Sequence, residues 1–331
     1  MVWGRPVRSI FIGGGTPSLF PDREIARLLS GVRARLPLIS DPEITLEANP
    51  GTADQHYFEG YRAAGVNRLS IGVQSFSSDH LQQIGRIHNG EEARQAVEMA
   101  RQAGFERINL DLMFGLPRQT QPQALEDLQH AIDLGVEHLS WYQLTMEPNT
   151  PFGHTPPAVP DEDQLWEMQQ AGQQHLQQAG LVQYEISAYA KAGAQCQHNL
   201  NYWRFGDYLG IGAGAHGKIT NVAEGTITRT ARQRSPERYL QHAGSAVAIS
   251  SREPIVVEDL PLEFMMNRLR LQESFTAQQY QERTGCGWSQ VEAAVTVGVE
   301  RGLLQWQGEQ LSTTRQGKSF LNDLLELFQS D

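Results

Sequence analysis

At 331 residues, 40% of them hydrophobic and 20% charged, the chain has a globular composition and enough length for one large core and a smaller second one. Its formal net charge of −11 argues against nucleic acid or an anionic membrane surface as partner, since both select an excess of Lys and Arg. The opening segment has no leader pattern, no run is apolar enough to span a bilayer, and two cysteines, Cys196 and Cys286, form no disulfide framework, so a cytoplasmic setting is expected.

In chain order, short β-rich runs alternate with helical patterns. Strands are expected at residues 9–12, 44–47, 68–73, 107–114, 138–144 and 184–187, and helices at roughly 22–35, 53–64, 91–104, 121–134 and 161–180. Each strand-plus-helix unit has the length of a βα repeat, which predicts a parallel sheet or barrel. Runs such as RLSIGV (68–73) and INLDLMFGL (108–116) read as continuously apolar, the pattern of strands covered on both faces. Thr52 is placed to cap the second helix, and Gly65 and Gly104 stand where helices end in a left-handed residue.

The pattern loosens over 221–254, read as a connector between a domain at 1–220 and another at 255–331. The last segment predicts a helix, a helix from Thr276, a third through Gln290–Arg301, a hairpin at Gly308 and a final helix, the order of a winged helix. From Glu253 onward six Lys and Arg face twelve Asp and Glu, so a structural or lid role is expected there rather than DNA binding.

Ligands of α/β folds collect at the carboxyl ends of the strands. The first strand leaves into Gly13-Gly14-Gly15-Thr16, the second carries Glu47 and Asn49, the third Gln74 and Ser75, the fourth Asp111, and the fifth Gln143, Thr145 and Glu147. Taken singly, Glu47 or Asp111 reads as an ordinary salt-bridged strand end, and GGGTP lacks the Lys-Ser/Thr of a phosphate loop and the spacing of a dinucleotide fingerprint. Together they describe a polar pocket with two carboxylates and bare amides, suited to an amino-acid-like ligand whose carboxylate Arg86 meets in bidentate fashion.

The segments FIGGGTPS, ITLEANPGT, GVNRLSIGVQSF, INLDLMFGLP, YQLTMEPNT and GDYLGIGAGAHG resemble, in order and spacing, the radical S-adenosylmethionine family of oxygen-independent coproporphyrinogen III oxidases. That resemblance implies a partial (β/α)6-type barrel followed by the small, mainly helical C-terminal domain. It implies S-adenosylmethionine contacts at Gly14, Gly15, Thr16, Glu47, Gln74, Arg86 and Asp111, with Thr145 and His216 as further candidates. Glu47 or Asp111 would take the ribose hydroxyls or the ammonium, and Arg86 the carboxylate.

His198-Asn199-Leu200-Asn201-Tyr202-Trp203 resembles the HNxxYW motif of the heme-chaperone branch of that family. It implies heme as a ligand, with His198 on the iron and Tyr202 and Trp203 against the porphyrin; without that context His198 reads as a loop residue and Trp203 as a core anchor. The family also implies a [4Fe-4S] cluster on a CxxxCxxC loop. Only twelve residues precede Gly13, none of them cysteine, so the chain is expected to lack the cluster ligands and the first barrel strand, with the strand near Ile10 left as an edge. The leading expectation is a heme chaperone that passes heme to an acceptor protein. The alternatives are a radical oxidative decarboxylase of coproporphyrinogen III and a barrel enzyme whose glycine turn holds a phosphate, so whether the chain is an enzyme stays open.

Overall fold

The computed structural model describes residues 2, 4–51 and 57–329. Two compact units emerge, a first over Arg5–His198 and a second that takes the chain from Asn199 onward.

The first unit is a seven-stranded sheet with helices between its strands. β1 (Val7–Ile12), β2 (Leu38–Ala48), β3 (Arg68–Gln74), β4 (Arg107–Phe114) and β5 (His138–Gln143) lie side by side in chain order, all parallel. β6 (Val182–Gln183) and β7 (Ala188–Ala190) complete it, β7 running antiparallel to β5; β6 and β1 form its two edges and do not pair, so among the described residues the sheet stays open. The strand expected at 184–187 is instead the loop joining β6 and β7. There Tyr184 donates its N–H to Ala188, and the Gln183 side chain caps the Ile186 carbonyl.

The helices follow the sequence closely: Asp22–Arg33, Phe58–Ala64, Gly90–Gln102, Gln121–Asp133 and Glu162–Gln178. Asn89 and Asp161 open two of them with capping boxes, each accepting backbone N–H groups that the first turn would otherwise leave unpaired. Gly65 ends Phe58–Ala64 at a φ of 105°, a conformation glycine reaches without strain. The expected cap Thr52 and the first residues of its helix lie outside the described residues.

The strands are not apolar on both faces, and the reason is geometric. Side chains alternate across a strand. Leu46, Leu69, Ile71, Val73, Leu110, Leu112 and Leu139 point into one core under the helices, all buried. The opposite face carries Thr45 and Glu47; Arg68, Ser70, Gly72 and Gln74; Asn109 and Asp111; His138 and Ser140. The parallel register sets Thr45 beside Arg68, Glu47 beside Ser70, Ser70 beside Asn109, and Asp111 beside Ser140. The result is a continuous polar stripe across four strands.

In the second unit the segment 221–254, expected as a connector, carries most of an antiparallel sheet. β8 (His216–Asn221) pairs with β9 (Thr226–Arg232), which pairs with β10 (Ile249–Pro254). All three strands belong to the compact unit that begins at Asn199. Beyond it come helices Leu260–Arg268, Ala277–Thr284 and Glu292–Glu300, a hairpin of β11 (Leu304–Gln307) with β12 (Gln310–Thr313), and two short helices, Arg315–Ser319 and Leu321–Glu326. Their core is built on Phe264, Phe275, Tyr280, Val295, Leu311 and Leu324. Within it Arg268 is buried, donating to Glu273 at 2.7 Å and to the Ser274 carbonyl at 2.6 Å.

Candidate functional site

The site lies at the carboxyl ends of β1–β4, where the polar stripe meets the strand exits. Gly14 and Gly15 turn with φ of 89° and 60°. A Cβ on Gly13 would stand 2.9 Å from the Glu47 carboxyl carbon and 2.8 Å from the Phe11 ring, so a bare backbone is what admits this close approach. The Gly14 N–H donates to Glu47 Oε2 at 2.9 Å, and Asn49 Nδ2 donates to the Thr16 hydroxyl at 3.3 Å. β2 thus pins the glycine turn from beneath.

Gln74, at the end of β3, sits at φ 67°, the left-handed region a side chain rarely adopts. Two interactions hold it there. Tyr142 donates its hydroxyl to Gln74 Oε1 at 2.9 Å, and the following residues are clamped by Asp127, which accepts from the Ser75 hydroxyl at 2.7 Å and the Phe76 N–H at 2.6 Å. Asp111 accepts from Ser70 Oγ at 3.1 Å and from Asn109 Nδ2 at 2.8 Å.

One cavity gathers Gly15, Thr16, Glu47, Gln74, Arg86 and Asp111 on its walls. Gly14 stands outside the lining and contributes through its bond to Glu47. Thr145 does not line the cavity; its hydroxyl donates to Glu147 at 3.0 Å. His216 is exposed at the start of β8 in the second unit.

The electrostatics favour a cation. Burial raises the Glu47 pKa, the Gly14 N–H opposes that rise, and the charge of Asp111 adds to it. Burial likewise raises Asp111, against the hydrogen bonds from Ser140, Asn109 and Ser70 and the charge of Arg68. Two carboxylates that repel one another in a poorly hydrated wall are relieved by a positive ligand. Burial, reinforced by Asp111, pushes Tyr142 up to about 12, so it stays a donor to Gln74. The Arg86 guanidinium is exposed and makes no hydrogen bond or ion pair among the described residues, which leaves it available to a carboxylate.

Asp127 is pushed up to about 6 by burial, against the Phe76 and Ser75 donors. An acid whose pKa rises on folding stabilises the native state fully below its unfolded value of 3.8 and gives that up as pH climbs through about 6. Asp127→Asn does not titrate. Its stability relative to wild type in urea is expected to improve by about 3 kcal/mol between about pH 4 and about pH 7. A difference that stays flat across that window would contradict this.

His198 stacks on Phe11, ring centroids 4.7 Å apart at 28°, and its backbone N–H donates to the buried Glu43 at 3.2 Å. Burial, with the nearby charge of Arg68, brings its pKa down to about 4, so the imidazole is neutral at ordinary pH. In the second unit Tyr202 and Trp203 meet edge to face at 4.9 Å, and the Arg270 guanidinium lies 5.1 Å over the Trp203 ring. Trp203 therefore already has a cationic partner on its indole.

Reading strand exits does not single out the supporting residues Ser70, Asn109, Tyr142 and Asp127. Three of them carry a signal. Ser70 shares a strand face with Gln74, Asn109 with Asp111, and Tyr142 with Ser140, each at an even spacing along its strand. Asp127 carries none, sitting mid-helix.

Residues 2–141 match the Radical SAM superfamily and 257–320 the HemN C-terminal domain. The heme chaperone HemW of Escherichia coli (strain K12) is 51% identical over 325 residues, covering 98% of this chain and 85% of that protein. The chain belongs to the HemW family. The HemW of Haemophilus influenzae is 49% identical over 324 residues, with 98% and 83% covered. Among solved structures, the coproporphyrinogen III oxidase HemN from Escherichia coli superposes with a TM-score of 0.81 at 20% identity, over 99% of this chain and 79% of that one. At that identity the match speaks for the fold, an open α/β sheet with a helical C-terminal region.

Membership in the HemW family and the radical SAM match imply S-adenosylmethionine and a [4Fe-4S] cluster as the family's cofactors. The pocket chemistry suits the first, with the Gly15–Thr16 backbone on its wall, an available guanidinium and two mutually repelling carboxylates. It does not suit the second: Cys196 and Cys286 are this chain's two cysteines, both buried and in different units, and no cluster of metal-binding side chains occurs among the described residues. No helix among the described residues is long and apolar enough to cross a membrane.

Proposed function

We propose that this chain is a heme chaperone, binding heme through the His198 segment and delivering it to an acceptor protein, with S-adenosylmethionine held in the pocket at the strand ends. The observation that carries the reading is 51% identity to a heme chaperone across almost the whole chain. The pocket supports it. Arg86 takes the ligand's carboxylate, the Gly15–Thr16 backbone lies along its amino-acid end, and Glu47 and Asp111 take the ammonium or the ribose hydroxyls. When bound, S-adenosylmethionine supplies a sulfonium cation whose charge the two carboxylates balance.

His198 supports the heme arm. A desolvated, neutral imidazole has a free lone pair for iron, which a protonated ring lacks. Hemin titrated into the protein and followed in the Soret band is expected to bind about tenfold more weakly to His198→Ala than to wild type, about 1.4 kcal/mol. Identical Soret shifts and affinities would remove His198 as the ligand. Decarboxylation of coproporphyrinogen III is the weaker reading, because the likeness to that oxidase stands at 20% identity while the chaperones stand far above it.

A further inference from the structure

The pocket and His198 belong to the same unit, and a buried hydrogen-bonded chain runs from one to the other. It starts at Asp111 on the pocket wall, whose Oδ1 accepts from Asn109 Nδ2 at 2.8 Å. Asn109 Oδ1 accepts from His138 Nδ1 at 2.6 Å, and His138 Nε2 meets the Tyr184 hydroxyl at 2.8 Å. The Tyr184 oxygen accepts from the Cys196 N–H at 3.4 Å. Cys196 Sγ donates to Glu43 Oε1 at 3.4 Å, and that same oxygen accepts the His198 N–H at 3.2 Å.

Chemistry gives the chain one direction. The Asn109 amide oxygen can only accept, so His138 Nδ1 carries the proton. His138 is fully buried and neutral, so its Nε2 accepts from Tyr184, whose oxygen is then free for the Cys196 N–H. Asn109, His138, Cys196 and Glu43 are all buried, so water does not compete along this path. A polar chain of this kind is held as a set, because breaking one link strands a buried donor or acceptor.

The links are also graded. Those nearest the pocket are short, 2.6–2.8 Å, whereas the N–H bonds of Cys196 and His198 are long, 3.4 and 3.2 Å, and the Cys196 thiol is a weak donor to Glu43. A shift of Asp111 toward a cation in the pocket is therefore carried stiffly as far as Tyr184. The slack is taken up in the segment that ends at His198. The Asn109 amide is fixed at this end of the chain, its two N–H groups donating to Asp111 and to Ser70 Oγ at 2.8 Å each while its oxygen accepts from His138.

We propose that this chain makes the S-adenosylmethionine pocket and the His198 heme site one linked system, each ligand changing the other's affinity by way of Tyr184 and Glu43. The linkage rests on the reading of the two sites given above. Linkage is reciprocal, so one factor governs both directions. Tyr184, Cys196 and Glu43 stand outside the pocket lining and are positioning residues here.

The test is a set of four binding constants on the full chain: hemin by Soret titration with and without saturating S-adenosylmethionine, and S-adenosylmethionine by calorimetry with and without hemin. Wild type is expected to show the same factor of about fivefold in both directions. Tyr184→Phe keeps the ring and removes the hydroxyl joining His138 to Cys196; its factor is expected to fall below about twofold while each ligand alone still binds. Cys196→Ala is expected to do the same, and Cys196→Ser, which keeps a donor toward Glu43, to restore the factor. A role confined to stability would lower the melting temperature of these variants and leave the factor unchanged, which overturns the proposal. So does a wild-type factor of one with both ligands bound. Failure of wild type to bind either ligand overturns the underlying assignment of the sites, a separate and recognisable result.

Discussion

Asp111→Ala is expected to weaken S-adenosylmethionine binding by about 100-fold, about 2.7 kcal/mol. A charge-assisted hydrogen bond to a carboxylate contributes about 1.5–3 kcal/mol, and the alanine also leaves donors without their acceptor. Those donors are Asn109 Nδ2 and Ser70 Oγ, both aimed at Asp111 across the sheet. Asp111→Asn keeps the shape and loses the charge, so a loss of about tenfold is expected, the electrostatic part alone. The pH dependence separates the two. Burial raises the Asp111 pKa, so wild-type affinity for the cation is complete at high pH and declines as pH falls through that raised value, while Asp111→Asn loses this part of the slope. Calorimetric titration across the acid range checks both statements; equal affinities for wild type and Asp111→Ala would remove Asp111 from the site.

Gly172→Ala is expected to lower stability by about 3 kcal/mol, although alanine is the better helix former by about 1 kcal/mol. Gly172 lies in the helix Glu162–Gln178, and a Cβ there would stand 2.0 Å from the tip of the Trp141 indole. Trp141 cannot retreat. It is 2% exposed, with the Phe114 ring at 4.4 Å on one side and Tyr189 at 6.3 Å on another. The clash wins over the propensity because the whole β5 layer would have to move. In a Trp141→Phe background the same glycine replacement is expected to cost much less, since the outer indole ring is what it strikes. Urea unfolding of the four proteins measures this; a cost that is equal in both backgrounds would place the strain elsewhere.

How far the sequence led differs from element to element. The glycine turn, Glu47, Gln74 and Asp111 were legible because parallel strands all point their carboxyl ends the same way, so reading each strand's exit finds one face of the sheet. The layer behind them was not. Ser70 and Asn109 sit among Leu69, Ile71, Ile108 and Leu110, and the apolar neighbours mask an alternation that puts every polar residue on one side. Asp127 lies 52 residues from Ser75, a separation that local patterning does not span. β9, read as loose, is Thr-Ile-Thr-Arg-Thr-Ala-Arg, in which only Ile227 is buried. Its threonines favour extended backbone by shape, without the apolar signature that marks a core strand. The loop at 184–187 misled in the opposite sense, because Tyr184 is buried and looks like a strand residue, yet its hydroxyl serves the polar chain to Cys196.

β1 is the outermost strand of its sheet among the described residues, with no fully buried residue along its length. A terminal strand offers its free N–H and C=O groups to any extended polypeptide that approaches. In any form of the protein that leaves this edge open, high concentration favours self-association by strand addition, held in check by mutual repulsion between molecules of net charge −11. Colloidal behaviour should therefore depend on ionic strength: salt that screens the repulsion would promote clustering, and dilute buffer would keep the protein dispersed.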